Sequence, residues 1–205
     1  MKKKAVFGKK EIELVKAAYS LGLVAVIPTD TIYGVTALAL DRKGVAGLYK
    51  LRKRNPKKPF IILISSLSDL SLFGVELSNS EKIWLKNVWP NKLTVILSCR
   101  QKEYTYLHRG SKTLAFRMPD NKWLKELIKT VGPIVAPSAN IEGEKFAETV
   151  EEAYNYFGDK AVYLDTGRVK GVSSTIVSLE NNFRIIRQGG YKLKKNEYFR
   201  SDINN

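Results

Sequence analysis

Residues 23–35 read LVAVIPTDTIYGV. The run LVAVIPT at 23–29 is apolar up to Pro28, which predicts a central strand buried on both faces. Pro28 ends the ladder there, so the side chains of Thr29, Asp30, Thr31 and Tyr33 crowd a strand end. In open α/β sheets that is where ligands bind. Short hydroxyls at such a place can orient a small zwitterion or a phosphate without a metal, and Gly34 permits a close turn.

Working outward, residues 10–20 place Leu14, Ala17, Ala18 and Leu21 at helical spacing, an amphipathic first helix. Asp41 reads as the N-cap of a helix running to about Lys53. PFIILIS (59–65) reads as a second buried strand, followed by a short helix near 68–73 and a longer one from Ser80 to Val88 that Pro90 stops. LTVILSC and TLAFRMP read as strands separated by an irregular, Tyr-rich loop at 101–112. A helix follows at 121–130, then a strand at 133–139 and a helix at 149–157. Three short strands, AVYLD, STIVSL and FRIIR, close the chain as a cluster, with Asn181-Asn182 as a hairpin turn between the last two. The expectation is an α/β protein of one domain: a twisted, mixed parallel and antiparallel sheet with helices on its faces.

The 205 residues suit one domain, and 44% hydrophobic content supports a sizeable core. The single cysteine, Cys99, lies in an apolar run and reads as a buried small hydrophobe, which leaves no disulfide framework and no CxxC-type zinc site. MKKKAVFGKK has a basic start but no apolar stretch of ~7–15 residues after it, so a cytoplasmic protein without a membrane span is expected. The net charge of +15 favours nucleic acid or a polyanionic small molecule as partner. Residues 50–58 concentrate six cations and no acid.

Within that segment, RKRNPKKP at 52–59, Arg52 and Arg54 diverge on a continuous helix. They converge only if the helix ends near Arg52, and Pro56 supports that turn by disfavouring helical geometry at Asn55. Arginine forks match phosphate oxygens bidentately, and Lys58 adds a point charge. APSAN at 136–140 puts Ser138 and Asn140 at another strand end. Arg117 stands in an otherwise apolar strand, which is costly unless it faces an anion. Ser173, Ser174 and Thr175 supply hydroxyls at a strand start, and Arg187 precedes two glycines. There is no GxSxG, GxGxxG or GxxxxGK[ST], and the only histidine, His108, reads as a surface residue of a polar loop.

The ordered elements PTDTIYG, RKR with a downstream KP, LAFRMP, PSAN, STIV and RQGG resemble the YrdC-like threonylcarbamoyl-AMP synthases, from about residue 8 to residue 190. The resemblance implies a YrdC-like fold with a basic concave surface. It also implies a nucleotidyltransferase that makes threonylcarbamoyl-adenylate and pyrophosphate from L-threonine, bicarbonate and ATP. Mg2+ would arrive on the ATP phosphates, with no metal ligand from the protein. The product would pass to downstream tRNA-modification proteins, and tRNA or double-stranded RNA is an implied partner. On the threonine side the resemblance places Thr31, Tyr33, Arg117, Ala136 and Ser174. On the ATP and adenylate side it places Arg52, Arg54, Lys58, Thr113, Ser138, Asn140 and Arg187, with Asn140 bracing the PSAN turn.

Two positions depart from the family pattern. Arg52 stands where a lysine is usual, and a planar fork cannot copy a lysine point contact. Leu63 stands where longer relatives often have a threonine-contacting histidine. Residues 191–205 are expected to be a short basic extension, loose or docked, in place of the further domain of the longer form. Charge alone would also fit a non-catalytic double-stranded RNA-binding module, but that leaves the clustered hydroxyls and Arg117 unexplained. A carbamoyltransferase of the hydrogenase-maturation type would join this domain to zinc-finger and acylphosphatase segments, neither of which is expected here.

Overall fold

The computed structural model describes residues 7–199. In chain order its elements are α1 (Lys9–Ser20), β1 (Val24–Pro28), β2 (Tyr33–Leu38), α2 (Arg42–Leu51), β3 (Ile61–Leu63) and α3 (Asn79–Val88). There follow β4 (Leu93–Ser98), α4 (Thr105–His108), β5 (Thr113–Arg117), α5 (Lys122–Val131) and β6 (Ile134–Val135). The last are α6 (Val150–Phe157), β7 (Ala161–Tyr163), β8 (Thr175–Ser178) and β9 (Arg184–Arg187). The strands form one mixed sheet in the order β7-β1-β2-β6-β3-β5-β4-β8-β9. The β1–β7, β3–β5 and β4–β8 pairs are parallel and the others antiparallel.

The apolar run of β1 is explained by burial on both sides. Val24 and Val26 enter the core beneath α2 and α3, while Ala25 and Ile27 enter a second core beneath α1 and α5. Asp41 caps α2, its side chain accepting from Lys43 N at 2.9 Å, and Asn121 caps α5 in the same way through Leu124 N.

The second core decides where the functional face lies. Ile12, Val15 and Tyr19 of α1 and Leu124, Leu127 and Ile128 of α5 pack on Ala25, Ile27, Leu63 and Ile134. Cross-strand register carries the same sheet face onward: Leu63 pairs with Arg117, Ile61 with Ala115, and Ala115 with Ile96. Past α1 and α5 this face is open, and a cavity lies on it.

Several expectations are corrected. Residues 33–38, for which no strand is expected, form β2. The chain turns at Thr29–Ile32, with Thr29 N bonded to Ile32 O at 3.1 Å, and returns antiparallel as β2. The expected strand at 133–139 keeps regular pairing only at Ile134–Val135, with one isolated bridge between Gly34 and Ser138 beyond it. The short helix near 68–73 is a 3-10 helix, Leu67–Phe73, and the loop at 101–112 contains a 3-10 turn and α4. The closing strands do not cluster, because β7 lies at the opposite edge from β8 and β9. His108 is not a surface residue: it is 4% exposed, with Nδ1 accepting from Gly110 N. The left-handed Arg109 that ends α4 reaches out to Pro56 O and stacks on Tyr49, so the polar neighbour takes the solvent side.

Two further local expectations hold. Cys99 is buried, and Asn181 and Asn182 both take positive φ between β8 and β9. Among the described residues no helix is long and apolar enough to cross a membrane. Residues 191–199 dock on α3, where Trp84 Nε1 donates to Glu197 O at 2.6 Å and Phe199 packs edge-on against Trp84. Residues 200–205, and residues 1–6 of the basic N-terminus, lie outside the described residues.

Phe116 is fully buried in the larger core and meets Phe73 edge-on at 5.2 Å. Phe116→Ala is expected to lower unfolding stability by ~3–5 kcal/mol in urea denaturation.

Candidate active site

The open sheet face, the PTDT turn, the end of α2 and the PSAN segment enclose a cavity of about 360 Å³. Small-molecule sites span roughly 300–1,000 Å³. Of the residues singled out in the sequence, Thr31, Arg52, Arg54, Thr113, Arg117, Ala136, Ser138, Ser174 and Arg187 line it. Tyr33, Lys58 and Asn140 are not among the lining residues.

One wall is built on Arg117. Its side chain is 5% exposed and pairs with Asp30 Oδ1 at 3.2 Å, while Nη1 donates to Thr31 Oγ1 at 3.0 Å. The contact with Asp30 is an ion pair without hydrogen-bond alignment, and both Asp30 oxygens and Arg117 Nε lack a hydrogen-bond partner among the described residues. The turn is closed by Thr29, whose Oγ1 accepts from Thr31 N and Ile32 N and lies 2.9 Å from Thr31 Oγ1. Beside it, Ser174 Oγ lies 2.8 Å from Thr94 Oγ1, and Arg187 donates to Ser174 O through Nη2 at 2.8 Å.

Tyr33 belongs to β2 but faces the other way from Gly34, as alternation requires. Its phenol accepts from Thr166 N at 3.0 Å and donates to Gly167 O at 2.8 Å. Burial pushes that phenol up to about 12, so it remains a donor at neutral pH. It thereby anchors the connection from β7 to β8, which crosses the sheet end and delivers Ser173 and Ser174. Gly171 in that connection lies so close to the PTDT turn that a Cβ would fall 1.6 Å from Thr31 O. Only glycine permits this approach.

The opposite wall comes from the end of α2. Arg52 is the C-cap, Lys53 takes φ 49, and Arg54 N bonds back to Tyr49 O at 2.9 Å. The left-handed residue is what brings Arg52 and Arg54 to one cavity. Arg52 is 2% exposed and is spent largely on the PSAN segment. Nη2 reaches Asn140 Oδ1 at 2.7 Å and Ser138 Oγ at 3.2 Å, and Nε reaches Asn140 O at 3.0 Å. Asn140 Nδ2 in turn holds Glu144 O at 2.7 Å, so Asn140 stands behind Arg52. Arg52 Nη1 and Arg54 Nε are buried without partners among the described residues.

Burial lowers the guanidinium pKa of Arg52 to about 10, helped by the nearby Arg54 charge. Burial likewise lowers Arg117, which Asp30 partly restores, and Arg187. All three are driven by desolvation, the cost that an incoming anion would relieve. Leu63 is fully buried in the α1–α5 core, so it takes no part in the cavity wall.

Two acids escaped attention as site residues. Asp30 was visible inside PTDT, but its pairing with Arg117 spans much of the chain. Glu142 gathers Arg54 Nη1 at 3.4 Å and Lys58 Nζ at 3.0 Å, and had no local signal at all.

A mixed sheet with an open, arginine-lined face and hydroxyl-rich strand ends defines an α/β protein whose cavity lining has the chemistry to suit a small anionic or zwitterionic ligand. The family model described as telomere recombination matches residues 18–189, and the chain belongs to this Sua5/YciO/YrdC family. It is 32% identical over 180 residues to the threonylcarbamoyl-AMP synthase of Pyrococcus abyssi, covering 86% of this chain and 53% of that one. It is 33% identical over 172 residues to that of Bacillus subtilis, covering 82% and 50%. The chain thus spans about half the length of these two relatives. The structure of P. abyssi Sua5 complexed with L-threonine superposes with a TM-score of 0.80 at 29% identity, over 92% of this chain and 56% of that one.

Removing one partner of a buried ion pair leaves the other charge uncompensated. Asp30→Ala is therefore expected to cost ~3–5 kcal/mol of stability in chemical denaturation. The double variant Asp30→Ala with Arg117→Met should lose less than the sum of the two singles, since the residues share one interaction.

Proposed function

We propose that this protein is a threonylcarbamoyl-AMP synthase, a nucleotidyltransferase converting L-threonine, bicarbonate and ATP to threonylcarbamoyl-adenylate and pyrophosphate. The observation that carries the reading is one cavity with two anion-receptive walls: Arg117 with Thr31 and Ser174 on one, Arg52 and Arg54 with Ser138 on the other. Membership of the family and the likeness to named synthases support it.

In this reading Arg117 takes the threonine carboxylate, with Thr31, Ala136 and Ser174 around the rest of the amino acid. Arg54, Ser138, Thr113, Arg187 and the free edge of Arg52 face the nucleotide, with Lys58 at the outer rim. Tyr33 and Asn140 act by holding the β7–β8 connection and Arg52 in place. The threonine amine attacks bicarbonate or CO2, giving a carbamate, with loss of water from bicarbonate. A carbamate oxygen then attacks the α-phosphorus of ATP, and pyrophosphate leaves with the bonding pair. The side chains hold anions together and balance charge growing on the leaving group. Mg2+ enters as part of the MgATP substrate, the protein supplying cations around it.

The product is a mixed anhydride of a carbamate and a phosphate, so it needs an acceptor protein close at hand. Delivery to tRNA-modification proteins acting on the adenosine beside the anticodon fits that need. The net charge of +15 fits direct contact with tRNA or double-stranded RNA.

Incubation with L-threonine, bicarbonate and MgATP should release pyrophosphate in a threonine-dependent manner. Its absence would leave a non-catalytic RNA-binding module as the better reading. A charge-assisted hydrogen bond contributes about 1.5–3 kcal/mol. Arg117→Ala should therefore weaken threonine binding ~10- to 100-fold with little change for ATP, and Arg54→Ala the converse. Calorimetric titration of each ligand, below each variant's melting transition, checks the split; the reverse pattern overturns the assignment.

A further inference from the structure

Three groups that a phosphate would recruit converge on one carboxylate of the protein itself. Glu142 Oε1 lies 3.0 Å from Lys58 Nζ and 3.4 Å from Arg54 Nη1, and Oε2 accepts the backbone N–H of Asn55. An ammonium, a guanidinium and a free backbone N–H are the usual donor set for a phosphate oxygen. Glu142 is held in position from behind, because its own N–H donates to Arg52 O at 2.9 Å. It therefore sits two residues beyond Asn140, on the same short segment that Arg52 fixes. Its carboxyl is held below the ordinary range, first by Asn55 N–H and then by Lys58, so it is anionic at neutral pH.

Two anions cannot share these donors at contact distance without repulsion. We propose that Glu142 is a built-in competitor for the polyphosphate end of the nucleotide: ATP reaches Arg54 and Lys58 by displacing this carboxylate, which recaptures them as pyrophosphate leaves. The inference rests on the reading of this wall as the nucleotide half. It makes Glu142 an affinity-setting residue, one that touches the ligand's partners in place of the ligand.

The alternative role for such a carboxylate is to orient Arg54 and Lys58 for the ligand. The two roles predict opposite signs. A competitor lowers the fraction of protein able to bind, and the observed dissociation constant rises by the inverse of that fraction. An orienting group raises affinity, and its removal weakens binding.

Glu142→Gln keeps an acceptor for Asn55 N–H and removes the charge. Calorimetric titration of the full chain with MgATP and, separately, with magnesium pyrophosphate should show both dissociation constants falling, by roughly 3- to 10-fold. L-Threonine should bind within about 2-fold of the unsubstituted protein, since its wall does not involve Glu142. Glu142→Ala, with its fold checked by circular dichroism, should shift the two polyphosphates in the same direction. Unchanged or weaker polyphosphate binding in both variants overturns the proposal, as does failure of either polyphosphate to bind any of the proteins. Tighter binding by the variants of a protein that releases no pyrophosphate would uphold Glu142 as competitor while overturning the synthase reading. An active protein with unchanged constants would do the reverse.

Discussion

A guanidinium buried inside strand β5 constrains everything else on the polar face. Arg117 is only 4% exposed, and a lone buried charge would cost several kcal/mol. The chain meets that cost by returning on itself after β1. Asp30 supplies the countercharge and Thr31 an acceptor, and both positions depend on the tight turn that Thr29 closes. The turn in turn sets the β1–β2 register, and β2 sets the bridge to Ser138. The geometry of the cavity is thus carried by sheet pairing, which is stiffer than a loop scaffold. Arg117 Nε and both Asp30 oxygens still lack hydrogen bonds among the described residues, so the pair is neutralised without being fully satisfied. A site with unspent donors of this kind is poised for an anionic group.

What was legible in the sequence was what local chemistry dictates. The N-cap at Asp41, the turn that Pro56 imposes after Arg52, and the cost of Arg117 in an apolar strand each depend on a few neighbouring residues. They sufficed to place most helices and to bring distant segments to one site. The misjudged features depend on partners remote in sequence. β2 carries Gly34 and a buried Thr36, which blur the alternation that marks a strand; Thr36 is satisfied by Tyr19 and Ala25 O, both remote from it in sequence. Whether AVY at 161–163 joined β8 or β1 could not be read from its own residues. Tyr33 shows the sensitivity of a period of 2: a shift of one residue exchanges cavity for core. Glu142 is invisible for the same reason, its partners lying more than eighty residues away.

Arg52 stands where the family resemblance leads one to expect a lysine, and its hydrogen bonds show what a guanidinium does in that place. A lysine would offer a single mobile charge. The planar fork instead binds Asn140 through both its carbonyls, backbone and side chain, and also touches Ser138. Such bidentate locking fixes the PSAN segment firmly, and among the described residues Nη1 remains without a partner. In the proposed reading this leaves one edge of Arg52 for direct contact with the nucleotide, while the position of Ser138 becomes better defined. Leu63, at the position where the resemblance leads one to expect a histidine in longer relatives, instead joins the α1–α5 core and contributes packing.

The two walls differ in a way that matches the proposed chemistry. Arg117 and Asp30 are 5% and 3% exposed, held by a closed turn and unable to reorganise cheaply. Lys58 and Glu142 are 59% and 21% exposed, on side chains free to exchange partners. A small amino acid must be presented to the α-phosphorus in one orientation, so preorganisation on its side lowers the barrier directly. A polyphosphate must enter as a substrate and depart as pyrophosphate in every cycle. Cations that held it as rigidly as Arg117 is held would bind substrate and leaving group alike, lowering KM without gain in kcat. An exposed lysine and a displaceable carboxylate avoid that trap. The division between a fixed wall and an exchangeable one therefore follows from the reaction's own asymmetry.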